Sequence, residues 1–164
     1  MDMTHYMELL ADNQPWNLIL FMAIPVILAE TIAISELAIL YTRKYSGGLW
    51  KLNKVCSILA GLYFTGVFSY LFVNVVIPLT SGGQWRGAID VIAVGFYLLG
   101  VVPLLGMALL DMNLIWKNKS IEQKLKIHAF FVGFFLVVAH VAMIFGMLDP
   151  RLGSGTEGHS HMDM

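Results

Sequence analysis

Residues 16–41 read WNLILFMAIPVILAETIAISELAILY, and this stretch decides the fold. It opens on a tryptophan, closes on a tyrosine and carries only two ionisable groups, Glu30 and Glu36. About 20 apolar residues wound as a helix cross about 30 Å of hydrocarbon, so the stretch reads as a membrane span. The apolar run is continuous rather than alternating, and lone spanning strands would leave backbone groups unpaired in lipid. Three further runs follow at 52–78, 88–116 and 127–148.

The whole chain agrees with that reading. Its 164 residues are 58% hydrophobic and 13% charged, with a mean hydropathy of +0.74. Soluble domains are closer to a quarter charged. The expected fold is an all-α membrane protein, a four-transmembrane-helix bundle over 16–148, between an N-terminal segment 1–15 and a tail 149–164. Trp16, Tyr41, Trp50, Trp85 and Trp116 mark its interfaces, and Pro25 and Pro103 predict kinks. The first 15 residues hold no Lys or Arg, and the first run is too long for a signal-peptide core, so no cleaved leader is expected. One cysteine, Cys56, excludes an intrachain disulfide and a CxxC metal site, and reads as a small buried hydrophobe.

Charge gives the orientation. Of ten basic residues, Arg43, Lys44, Lys51 and Lys54 flank the first loop, and Lys117, Lys119, Lys124 and Lys126 the third. Basic loops stay cytoplasmic, so both termini are expected on the non-cytoplasmic side of the membrane. The cations sit beside spans, so nucleic-acid binding is not implied.

Both termini carry soft metal ligands. The first holds Met3, His5 and Met7, and the last His159, His161 and Met162. Thioether sulfur suits Cu(I), and imidazole suits copper or zinc. Within the spans, Glu30 and Glu36 lie on the first helix and His128 and His140 on the fourth. Ionisable groups in hydrocarbon are costly, so each is a functional candidate. His140 falls roughly 13 Å below the outer surface and Glu30 roughly 20 Å, with Tyr70 and Tyr97 near the same level. His140, Met143 and Met147 share one helix face, a stepped route from the outer surface towards Glu30. Glu36, His128 and Asp111 fall near the cytoplasmic ends, where pairing with Lys51, Lys54 or Lys126 is the expected arrangement. Asp90 begins the third helix and complements its dipole.

MIFGM, Met143 to Met147, resembles the MxxxM element lining the pore of eukaryotic-type high-affinity copper transporters, which also have methionine-rich outward N-termini. Those have three spans, so their fold is not implied here. Through QPWNLILFMAIPVILAE and HVAMIFGMLDP the chain is similar to small four-helix bacterial membrane proteins loosely called permeases, a likeness that brings no activity with it.

Three functions follow as expectations. The first is handling of a transition metal, copper foremost, by binding, transport or delivery through the termini and an intramembrane His140, Met143, Met147 and Glu30 site. The second is a b-type haem or quinone-linked electron-transfer subunit, with His140 the haem ligand. The third is an accessory structural subunit of a homo-oligomer or larger membrane complex. No catalytic triad, nucleotide loop or zincin motif is present, so no catalytic residue is assigned and enzymatic activity is not expected.

Overall fold

The computed structural model describes residues 3–153. They form a short helix, α1 (His5–Ala11), and four long ones: α2 (Trp16–Thr42), α3 (Gly48–Ser81), α4 (Ala88–Asp111) and α5 (Ile121–Met147). All four long helices are long and apolar enough to cross a membrane. A 3-10 turn, Pro150–Gly153, follows. There is no strand among the described residues.

The ends of the helices have local causes. Thr4 caps α1 by accepting from the Met7 N–H, and Ser120 with Gln123 closes a capping box ahead of α5. Arg43 ends α2 in the left-handed conformation. Helix α4 stops at Asp111, short of the expected Trp116. Asn113 adopts φ 56° there, a conformation that asparagine tolerates and that no helix continues. Helices α3 and α5 instead start earlier than their apolar runs, because their charged first turns lie beyond the apolar stretch.

Helix α3 packs most extensively on α4, then α2 on α3, and the first half of α4 on α5. Gly61 permits the closest of these approaches: a Cβ there would lie 2.4 Å from the Ala108 Cβ and 2.6 Å from the Leu104 carbonyl oxygen. Phe64, Ile32, Leu104 and Met107 fill the interior. Side chains such as Ile34, Leu37, Phe130 and Val137 point outward and are 62% to 70% exposed. An apolar outer surface of that kind suits lipid as its solvent. Helices α2 and α5 meet over a short length, so one seam of the bundle is loosely closed.

Both predicted kinks have visible counterparts. Ahead of Pro25, residues Ile19–Ala23 form a π-helical turn, and the Ile24 N–H bonds the Ile19 carbonyl. Helix α4 breaks at Gly100, three residues before Pro103. A second π turn, Phe72–Val76, precedes Pro78. Proline supplies no N–H and crowds the carbonyl four residues back, and an added residue in the turn relieves that crowding.

Candidate functional site

The N-terminal segment is folded onto the bundle. The Thr4 hydroxyl donates to the Gly146 carbonyl at 2.7 Å, and the Arg86 guanidinium bonds the Met3 carbonyl and the Glu8 carboxylate. Asp90 is fully buried and takes three contacts, from the His5 backbone N–H at 2.7 Å, His5 Nδ1 at 2.5 Å and the Arg86 N–H at 3.3 Å. It thus anchors the N-terminus as well as sitting in the first turn of α4. Tyr6 lies against Gly146, where a Cβ would meet its ring at 2.7 Å. Burial pushes the Tyr6 phenol up to about 12. Met7 is half-buried against the core, and only Met3 is well exposed. Of the three N-terminal ligand candidates, His5 is therefore engaged as a latch. His159, His161 and Met162 lie outside the described residues.

The π turn in α2 creates polar demand inside the bundle. Proline 25 leaves the Phe21 carbonyl without its helical donor, and the register shift releases the Leu20 carbonyl. The Tyr97 hydroxyl donates to Phe21 O at 2.5 Å, and the Tyr63 hydroxyl to Leu20 O at 2.8 Å. Tyr97 is buried at this junction. Tyr70 is 55% exposed and stacks on Phe21.

Beneath this junction, along the loosely closed seam, lies a cavity of about 210 Å³. Its walls are mostly apolar: Phe21, Phe64, Phe96 and Phe135, with Ala29, Val138 and Ala139. Tyr6 reaches it from α1 and Tyr97 from α4. Four polar or sulfur-bearing side chains complete it, Glu30 and Met22 from α2 and His140 and Met143 from α5. Glu30, His140, Val26 and Met143 are exposed, so the cavity opens sideways between α2 and α5. Met147 is 71% exposed at the end of α5 and does not line it.

His140 Nδ1 lies 2.6 Å from the Leu136 carbonyl oxygen. A carbonyl only accepts, so Nδ1 carries the hydrogen, and in the neutral ring Nε2 keeps its lone pair.

A second polar centre occupies the opposite, basic end. Glu36 Oε2 lies 2.6 Å from His128 Nδ1, and both side chains are 4% exposed. His128 Nε2 lies 3.3 Å from Asp111 Oδ2 and 3.3 Å from the Ser57 hydroxyl. The expected lysine pairing is not what forms: Lys51 and Lys126 are exposed, and the acids turn inward to the imidazole. A solvated lysine gains little from a surface pair, whereas a buried carboxylate is costly unless it is paired. The sequence did carry a signal for this cluster, because helix rise puts Glu36, Asp111 and His128 at one level.

Among the described residues, no group of three or more His, Cys, Asp or Glu side chains is arranged to hold a metal ion. Thioethers stand outside that count, so the Met22, Met143 and His140 set is a separate matter.

These features define a small four-helix bundle of membrane-crossing length, with a side cleft at one level and a buried acid–imidazole cluster at another. The chain belongs to a family of unknown function, DUF6803, which it matches over residues 1–162. No curated protein and no solved structure matches it.

Proposed function

We propose that this chain is an integral protein of the bacterial inner membrane that binds a quinol, a lipid-soluble ring compound, in the cleft between α2 and α5. Loops one and three would face the cytoplasm and both termini the other side, as the basic residues indicate. One observation carries the reading: Glu30 and His140 flank the side opening of a single, mostly apolar cavity within the spans. An ionisable group at that depth needs a polar partner. A ligand arriving through lipid and bearing hydroxyls supplies one. The carboxylate of Glu30 and the free Nε2 of His140 each accept from a hydroxyl, and the aromatic walls hold the ring. A cavity of roughly 150 Å³ accepts benzene, so about 210 Å³ suits a substituted single ring and argues against a porphyrin.

The test is calorimetric titration of a short-chain benzoquinol into the chain in nanodiscs. Hydrogen bonds to charged groups contribute about 1.5–3 kcal/mol and neutral ones about 0.5–1.5 kcal/mol, so Glu30→Gln should weaken binding roughly tenfold and His140→Phe roughly threefold to tenfold. Equal affinity in both variants, or uptake matching empty nanodiscs, would refute the proposal.

A second reading rests on a different feature of the same cleft. Met22, Met143 and the His140 lone pair offer soft donors suited to Cu(I), with Glu30 balancing charge. Copper retained by the purified protein, and lost in the combined His140→Ala, Met143→Leu variant, would favour this metal-handling function over quinol binding.

A further inference from the structure

Three ionisable side chains converge where the basic ends of α2, α4 and α5 meet. Glu36 and Asp111 flank His128 on its two ring nitrogens, and Ser57 of α3 closes the group. Glu36 Oε1 is buried with no hydrogen-bond partner. Asp111 Oδ2 is within ion-pair distance of His128 but is not aligned for a hydrogen bond, so it too is only half satisfied.

Charge counting shows what the cluster lacks. With both carboxylates ionised and the imidazole neutral, its hydrogen on Nδ1, it holds a net charge of minus two in a poorly solvated place. One more proton halves that charge, which burial strongly favours.

A route for that proton is present. A cavity of about 160 Å³ opens at the basic end, lined by Asn53, Lys54, Asn113 and Lys124 and reaching Asp111 and His128. At roughly 30 Å³ per water it has room for about five waters among polar walls. Glu36 does not line it, so the imidazole stands between this vestibule and the unpartnered carboxylate.

We propose that Glu36, His128 and Asp111 form a proton-binding site, filled from the basic end of the bundle through this vestibule. A hydronium in the vestibule gives its proton to His128 Nε2 and becomes water. The Nδ1 proton then moves to Glu36 Oε2. The imidazole ends neutral with its hydrogen on the other nitrogen, and the carboxylate ends as a carboxylic acid. The charged groups facing the cluster are Lys54 from α3 and Lys124 from α5, both on the vestibule wall, and Lys124 is held by Asn113 at 2.5 Å. Buried Cys56 is the neighbouring thiol on α3. The site uses none of the cleft residues, so it stands or falls apart from the quinol reading.

Infrared difference spectroscopy between alkaline and acidic buffer, on the full chain in nanodiscs, reads the event directly. The expected result is one carboxylic-acid carbonyl band per chain that disappears in Glu36→Gln, while Glu30→Gln leaves it in place. Should Glu36→Gln fail to fold, Ser57→Ala removes only a hydroxyl beside the imidazole and should shift the same band. A band that persists in Glu36→Gln, that is unmoved in Ser57→Ala, or that sodium abolishes at constant pH would overturn the proposal.

Discussion

Tyr6 ties the chain's acid–base behaviour to its outermost helix. Its ring packs 5.0 Å from that of Tyr97, and burial raises its phenol from 10.0 to about 12. The docked helix therefore keeps a proton that the released helix gives up, and the stabilisation is complete below pH 10. As pH climbs from 10 towards 12 that stabilisation drains away, on the order of 3 kcal/mol in all. A dye on Met3→Cys, read by fluorescence anisotropy, should report release of α1 across this window, and Tyr6→Phe should abolish the transition. Release at the same pH in Tyr6→Phe would show that another group governs it. Individual residues were only partly legible in the sequence. His5 looked like a free ligand because nothing local reveals that Asp90, 85 positions away, receives it. Glu36 and His128 stood at one level, yet lysines nearby in sequence offered an equally local partner.

At the scale of elements, α2 is instructive because a defect and its remedy lie on different helices. Pro25 orphans the Phe21 carbonyl, and Tyr97 on α4 satisfies it. Tyr97→Phe should cost about 1–3 kcal/mol, the penalty for an unpaired buried acceptor. In a Pro25→Ala background α2 regains its own donor, so the same substitution should cost far less. Thermal unfolding of the four chains in one detergent gives this double-mutant cycle, and additive effects would contradict the account. The prolines were plain in the sequence, and irregular turns stand close to them. The π turns, and the tyrosines recruited to them, were not plain there, because hydrogen-bond register depends on neighbouring helices.

At the scale of the molecule, the four-helix architecture could be read from the continuity of apolar runs alone, since lipid leaves few other ways to satisfy a backbone. Helix limits were less legible at the basic end, where α3 and α5 start before their apolar runs. The cleft was foreseen in its ingredients, Glu30, His140 and Met143. Its apolar walls and side opening arise from how loosely α2 meets α5, which composition does not encode. In the proposed function, that opening admits a ligand dissolved in lipid. It is tested most directly by irradiating the chain in nanodiscs with a photoreactive azido-quinone and mapping the adducts by mass spectrometry. The account predicts labelling concentrated on residues 22–30 of α2 and 136–143 of α5, suppressed by excess unlabelled quinol. Labels spread evenly over the lipid-facing surface, or unaffected by competitor, would contradict it.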